Sequence, residues 1–179
     1  MNEEDKRIRV TRMLLRESTM RLLREKGSAE KISVVELCHA AGLNRSTFYR
    51  HYGSPEDVMR DIQDEILEHV SELMAAAEPT HEGRCQAMDR VYVYLYEHAG
   101  DIRLLLDIVD FGIELLKNAL HGMIEADPRG ADMDQTSRQM ANTFILHGAY
   151  AVIREWLTAE QPMPPDRFAA YIRPILTVL

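Results

Sequence analysis

The sequence predicts an all-α protein, in which a short three-helix unit is followed by a larger helical part. Apolar residues recur at helical spacing along nearly all of the 179 residues, which is the periodicity of amphipathic helices. Helix-capping and helix-breaking residues bound several of these stretches. The best strand candidate, KISVVEL, carries the spacing of a helix cap, so no strand is predicted.

The first helix is predicted over about residues 6–26. Ile8, Leu15 and Leu22 recur every seventh residue and therefore share one helix face. Gly27 follows as a stop signal, because glycine readily takes the left-handed conformation that ends many helices.

Two short helices are predicted next. Ser33 stands three residues before Glu36, the spacing of a capping box, and Gly42 ends the helix that this box begins. Asn44 is then placed to cap a third helix, which runs to about His51. The apolar positions of the pair are Val34, Leu37, Cys38, Leu43 and Phe48. Two short helices joined in this way have the layout of a helix-turn-helix.

The fourth helix has the clearest start. Ser54 is a cap, Pro55 is suited to the first helical position, and Asp57 completes a capping pattern. About six turns of apolar stripe follow. The opposite face is acidic and is predicted to be solvated, with Asp61, Asp64, Glu65, Glu68 and Glu72.

Four further helical stretches are predicted in the remainder. The first begins beyond Pro79, continues through Cys85 to Tyr96 and ends at a break near residues 99–101. The second covers about residues 102–125, with an interruption around Gly112, and the third covers about residues 135–159. The last helix begins at about Phe168, and Pro174 should kink or fray it. The loop between the second and third of them is ADPRGADMD, residues 126–134, where proline and glycine act as breakers.

Charge is distributed unevenly along the chain. The formal net charge is −8, but residues 1–53 carry 11 Lys and Arg against 7 Asp and Glu, a net +4, and residues 54–179 carry 10 against 22, a net −12. Basic groups are therefore segregated into the first third. The predicted domains are residues 1–53 and residues 54–179.

Several classes of protein are disfavoured. No apolar run approaches the ~20 residues of a membrane helix, and the N-terminus lacks the apolar core of a signal peptide, so a cytoplasmic protein is expected. Cys38 and Cys85 are too few for a disulfide framework and fit small core residues, with a redox role left open. The histidines lack the spacing of a helical metal site. No Gly-rich phosphate loop or nucleophile–base arrangement is present, and neither cofactor nor metal is expected.

The helix-turn-helix layout points to double-stranded DNA. In that motif the second helix enters the major groove, and its first residues meet base edges or phosphates. Positively charged and hydroxyl-bearing side chains are concentrated there. They are Arg45, Ser46, Thr47, Tyr49, Arg50 and His51. The alternative interpretation of Arg45 and Arg50 is that they are ordinary surface charges of a helix and do not contact DNA.

The stretch ISVVELCHAAGLNRSTFYRHYGSPEDVM resembles the DNA-binding domain of the TetR-type bacterial transcriptional regulators, and TRMLLRESTMRLLREKG resembles their first helix. The similarity covers about residues 11–58. It implies contacts to phosphates or bases by Ser33 and Thr47. It also implies that Arg45 and Ser46 face the groove and that Tyr49 and His51 hold the DNA backbone.

Two further points concern that resemblance. Members usually carry a lysine where this chain has Pro55, so that phosphate contact is lost or moved to a group such as Arg60. The segment REWLTAEQPMPPDRFA is more weakly similar to the subgroup related to dihydroxyacetone-kinase operon regulators.

The larger part is expected to bind a small molecule and to dimerise. Aromatic, methionine and histidine side chains are candidates for a pocket lining, although core packing is the simpler reading for each. They are Met88, Tyr92, Tyr96, His121, Met123 and His147. The stretch FILHGAYAVIREWL is apolar around most of its circumference and needs cover from outside. The candidate dimer residues are Gly148, Tyr150, Trp156, Phe168 and Ile172.

Three classes of function remain open. The preferred one is a homodimeric, ligand-responsive transcriptional regulator, most often a repressor in such families, acting on a palindromic operator. The second is a helical co-activator or adaptor that works through another protein. An enzyme is the weakest, because no reactive constellation stands out.

Overall fold

The computed structural model describes residues 3–107, 109–125 and 133–178, except for the side chains at 109–110, 121–125 and 176–178. These ranges contain helices and no strand, so the all-α prediction is confirmed. The helices are α1 (Glu3–Lys26), α2 (Val34–Ala41), α3 (Arg45–Tyr49), α4 (Pro55–Ala75), α5 (His81–Glu97), α6 (Ala99–Leu106), α7 (Val109–Glu125), α8 (Gln135–Thr158) and α9 (Pro165–Val178), with a 3₁₀ turn at Ala29–Lys31.

The chain divides into two compact units, Met1–Glu65 and Ile66–Leu179. The division falls inside α4, so this helix contributes its first half to one unit and its second half to the other. The domain boundary after residue 53 stays a prediction. Most of the predicted loop 126–134 lies outside the described residues.

In the first unit α1 packs on α2 and α2 packs on α3. Four side chains with no exposed surface form its centre. They are Leu15, Leu37, Phe48 and Val58. Local signals set the helix ends as predicted, because Ser33 and Glu36 form the capping box and Gly42 adopts φ 65°. The Asn44 side chain accepts from the Thr47 N–H at 2.8 Å and so begins α3.

The start of α4 is also as predicted. Pro55 is its first residue, and the Ser54 and Gly53 N–H groups donate to Asp57 Oδ2 at 2.9 and 3.0 Å. The Asp57 N–H donates back to the Ser54 hydroxyl at 3.4 Å. This exchange satisfies backbone groups that a helix start leaves open.

An aromatic cluster lies at the centre of the second unit. Trp156 stacks on Phe168 with ring centroids 4.0 Å apart and an 8° angle between planes. Tyr92 meets both rings edge-on. The Trp156 indole N–H donates to the Met163 carbonyl at 2.8 Å, which anchors the connection between α8 and α9.

The helix interruption between α6 and α7 lies at a different place from the predicted one. It follows Leu106 rather than occurring at Gly112, which lies inside α7. A Cβ at residue 112 would stand 2.3 Å from a ring carbon of Tyr150, and the Tyr150 hydroxyl donates to the Leu106 carbonyl at 2.6 Å. The glycine therefore admits an aromatic ring rather than interrupting the helix. Pro174 lies inside α9, which continues to Val178.

None of the helices in the described ranges is both long and apolar enough to cross a membrane. Within the same ranges, no group of three or more His, Cys, Asp or Glu side chains is arranged to hold a metal ion.

Candidate nucleic-acid interface

The predicted DNA-contacting residues of α3 form one outward surface of the first unit. We call it the α3 surface; it comprises Arg45, Ser46, Thr47, Tyr49, Arg50 and His51. Phe48 fixes its orientation, because that ring has no exposed surface and pins the short helix into the core. Thr47 and His51 are half-buried, and the other four side chains are exposed.

Tyr49 is held in place while its polar end stays open. The side chain is 53% exposed, yet its ring packs edge-on against Phe48 with centroids 5.4 Å apart. Tyrosine of this kind presents a rigid apolar body and a hydroxyl at its tip. The geometry suits a contact with a nearby anion or base edge.

Not every donor of the α3 surface is available. The Ser46 hydroxyl donates to Asn44 Oδ1 at 2.7 Å, and the Thr47 N–H donates to the same oxygen. Neither Arg45 nor Arg50 forms a described hydrogen bond or ion pair. The two guanidinium groups are therefore the strongest unengaged donors of this surface.

Ser33 is exposed, but its hydroxyl serves the cap of α2. It donates to Glu36 Oε2 at 2.7 Å and accepts from the Glu36 N–H at 3.3 Å. The Lys26 ammonium donates to Glu36 at 2.6 Å. The hydrogen bond from Lys26, followed by those from Ser33, lowers the pKa of Glu36 to about 2. A contact between Ser33 and a phosphate would compete with this box.

A charged network joins α1 and the end of α3 to α4. The Tyr52 hydroxyl donates to Asp61 at 2.6 Å and accepts from Arg12 Nε at 3.3 Å, and Arg12 also pairs with Asp61. Arg16 pairs with Glu65 and lies 3.9 Å from Asp61. Burial tends to raise the pKa of Asp61, but the hydrogen bonds from Tyr52 and Arg12 outweigh it and leave this pKa lowered.

The sequence interpretation missed this network. Asp61 and Glu65 were assigned to a solvated face of α4, whereas both are ion-paired to α1. A signal was present, because Arg12 and Arg16 on α1 share the four-residue spacing of Asp61 and Glu65 on α4. Which helix faces which depends on tertiary packing.

An open pocket of about 390 Å³ lies between the start of α1, the end of α3 and the start of α4. Its lining is mostly charged and includes two residues of the α3 surface. The lining residues are Ile8, Arg12, Arg50, His51, Tyr52, Asp57, Arg60, Asp61 and Asp64.

Both cysteines are buried thiols, as expected of core residues. Burial raises the pKa of Cys38, an effect that the positive charge of Arg45 opposes. Cys85 lies with its Sγ 3.6 Å from His81 Nε2.

The candidate pocket residues of the second unit are placed in different surroundings. Met88 and Tyr92 lie in the core of α5, and burial raises the pKa of Tyr92. Tyr96 is half-buried and stacks near Trp156 with centroids 6.0 Å apart. His147 is exposed on α8. His121 and Met123 lie on α7, where their side chains fall outside the described part of the chain.

Most candidate dimer residues pack within their own chain. Trp156, Phe168 and Ile172 are at most 6% exposed, so their side chains have almost no surface to bury against a second copy. Tyr150 is half-buried and bonded to Leu106. Gly148 is exposed, with no heavy atom within 4 Å of the position a Cβ would take.

Exposed apolar side chains lie next to these buried ones. On α8, Met140 and Phe144 are 67% and 63% exposed, and Val152 is also exposed. Together with Gly148 they recur every fourth residue and form one stripe, which we call the α8 stripe. On α9, Tyr171 and Ile175 are exposed in the same manner. The sequence interpretation did not separate these positions from their buried neighbours.

Comparison with known proteins identifies the fold. A TetR transcriptional regulator from Streptococcus agalactiae 2603V has a similar structure, with TM-score 0.73, 18% identity and 97% of each chain covered. The dihydroxyacetone kinase operon activator DhaS gives TM-score 0.62 at 17% identity over 94% of each chain. The fatty acid degradation regulator FadR from Bacillus halodurans gives 0.60 at 14% identity, over 92% of this chain and 93% of that one.

No protein-family model and no curated protein sequence matches the chain. At identities below 20% the structural likeness concerns the fold. The predicted resemblance is confirmed at that level: this chain has the fold of TetR-type transcriptional regulators.

Proposed function

We propose that the protein is a DNA-binding transcriptional regulator that acts as a homodimer on double-stranded DNA and has no enzymatic role. The observation that carries the proposal is the α3 surface. It presents two unengaged guanidinium groups, Arg45 and Arg50, beside the fixed ring of Tyr49. Arginine reads guanine edges and phosphates through paired N–H donors. Solved regulators of the same fold support this assignment.

The net charge of −8 does not oppose local DNA binding. Residues 1–53 carry +4, and the screening length at physiological salt is only about 8 Å. Acidic groups further from the duplex than that distance therefore repel it weakly. We expect affinity to depend on the first unit and to fall steeply with salt.

The α8 stripe supports the homodimer. A row of exposed apolar side chains on one helix needs cover, and a second copy of the chain supplies the same stripe in return. Two copies place two helix-turn-helix units on one duplex. The proposed operator is palindromic, with half-sites separated by about 10 bp or a multiple of it.

A small-molecule effector is proposed for the second unit. It regulates DNA binding only if it favours one conformation over another, and a difference of about 1–3 kcal/mol suffices. We propose release from DNA on binding, which makes the protein a repressor. The alternative is a co-activator that works through another protein. The description of DhaS as an operon activator supports activation in place of repression, but not one mode of binding over the other.

The test uses the full-length protein and an operator selected from a random duplex library. Arg45→Ala and Tyr49→Ala are expected to weaken binding by about 10-fold or more, since a good base or phosphate contact contributes about 1–3 kcal/mol. Arg90→Ala on α5 is the control and should leave affinity unchanged. Circular dichroism checks folding.

Two results would count against the proposal. Full affinity in both α3 variants would remove the site assignment. No selected operator, together with duplex binding that barely changes with salt, would favour the adaptor over direct DNA recognition.

A further inference from the structure

We propose that the open pocket at the end of α3 binds one phosphate of the DNA backbone, with Arg60 and Arg50 as its ligands. The inference rests on the proposed function and adds to it a contact from α4, outside the helix-turn-helix. Three features of the pocket support the inference. The polar groups at its floor bond to one another, the arginines at its rim have N–H donors that engage no described residue, and its mouth is open to solvent.

The floor of the pocket needs no ligand. Tyr52, Arg12 and Asp61 bond to one another there, and the charges of the arginine and the aspartate cancel. The two hydrogen bonds of the Tyr52 hydroxyl are partly buried.

The rim presents arginines that an oxyanion can engage. Arg60 is 67% exposed at its side chain, and its Nη1 lies 3.0 Å from Asp57 Oδ1. The other oxygen of Asp57 caps the start of α4, which holds this carboxylate in place. An exposed pair of this kind contributes little to stability, so a phosphate can replace or share it.

Arg50 and Arg60 give the rim more donors than acceptors. Arg50 keeps all five N–H groups unengaged by described residues, and Arg60 keeps those that do not face Asp57. Asp64 is the one lining carboxylate with no described partner. Two guanidinium forks match the paired oxygens of a phosphodiester. The charges of these two arginines are balanced by Asp57 and Asp64, so a phosphate would be held by the N–H donors of the guanidinium groups and not by a net positive charge.

The position of the pocket next to the α3 surface favours a phosphate of the DNA backbone over a free phosphate ion. Arg50 and His51 belong both to the α3 surface and to the pocket lining, so a duplex held at the α3 surface brings its backbone to the same side chains. The mouth is open, which a phosphate embedded in a continuous chain requires.

The experiment measures binding of the full-length protein to a fluorescein-labelled 30-bp duplex of arbitrary sequence by anisotropy, from 25 to 250 mM NaCl. Arg60→Gln is expected to reduce the slope of log affinity against log salt by roughly 0.9 per bound protomer. With the two affinities taken as equal at 1 M salt, this slope corresponds to a loss of roughly 8-fold per bound protomer at 0.1 M salt. Arg60→Lys keeps the charge and should keep most of the slope.

Matched variants separate a contact from a general charge effect. Arg90→Gln removes an exposed positive charge from α5 and should leave the slope unchanged. Asp64→Asn removes the unpaired carboxylate of the rim and should raise affinity. Thermal melting is compared for each variant, so that loss of binding is not confused with loss of fold.

Several outcomes would overturn the assignment. They are an unchanged slope in Arg60→Gln and an equal loss in Arg90→Gln. A third outcome combines two results. Inorganic phosphate at 10 mM and matched ionic strength would stabilise the wild type but not Arg60→Gln, while Arg60→Gln would keep the salt slope of the wild type for DNA. The pocket would then be a site for small anions and not for DNA. Failure of the proposed function is distinguishable, because the wild type itself would then show no salt-dependent DNA binding.

Discussion

Gly112→Ala is expected to destabilise the second unit, although alanine is the better helix former. The new Cβ would lie 2.3 and 2.6 Å from two ring carbons of Tyr150, so the ring must move by about 1 Å. That movement breaks the 2.6 Å hydrogen bond from Tyr150 to the Leu106 carbonyl.

The expected change in the free energy of unfolding is the sum of three contributions. Overpacking costs about 1–3 kcal/mol, and the lost hydrogen bond costs about 1 kcal/mol. Replacing glycine inside a helix returns about 1 kcal/mol. The net loss in the free energy of unfolding is therefore about 1–3 kcal/mol.

The assay is denaturant unfolding followed by the fluorescence of Trp156, the single tryptophan, which lies in the second unit. All variants are compared at one protein concentration, because dimerisation contributes to apparent stability. Gly100→Ala on α6 is the control, since its Cβ would meet no heavy atom within 4 Å; we expect no loss there.

A double-mutant cycle isolates the contact. In a Tyr150→Ala background the ring is absent, so Gly112→Ala should be stabilising by about 1 kcal/mol, which gives a coupling energy of about 2–4 kcal/mol. A Gly112→Ala protein as stable as the wild type would refute the packing argument.

Three further predictions concern other contacts. Tyr52→Phe removes the hydroxyl between Arg12 and Asp61 and should cost about 1–2 kcal/mol of unfolding free energy in the first unit; an unchanged thermal midpoint would show that the hydroxyl contributes nothing. Because the pKa of Glu36 is lowered from 4.5 to about 2, its contribution is complete above pH 4.5 and is lost as the pH falls towards 2. The stability difference between the wild type and Glu36→Gln should shrink over that range in acid titrations, and a constant difference would contradict this. Phe144→Asp should yield monomers in sedimentation while Thr143→Asp does not; dimers in both would remove the α8 stripe from the interface.

The family resemblance implies a phosphate contact at residue 55, where this chain has a proline. Pro55 supplies no charged group and is buried at the start of α4. Arg60, five residues on, lines a pocket shared with the α3 surface. We propose that it takes over this contact, and sequence spacing alone left open whether the contact was lost or moved.

The helices of the first unit and most of their ends can be predicted from local sequence signals, although α1 begins at Glu3, three residues before its predicted start. Ser33, Gly42, Asn44 and Ser54 act through hydrogen bonds or backbone conformations that reach at most a few residues along the chain. Such signals are legible without knowing the fold. The helix-turn-helix layout and its outward arginines followed from them.

Tertiary structure alone decided which apolar residues are core and which are surface in the second unit. Trp156 and Phe144 look alike in an apolar stretch, yet one is 5% and the other 63% exposed. The hydrogen-bond partners of two side chains also depend on tertiary structure. Tyr150 bonds to Leu106, 44 residues away, and Arg12 bonds to Asp61, 49 residues away. Helical periodicity fixes the direction of a side chain around its own axis but not the helix it meets. That choice depends on how all the helices pack together.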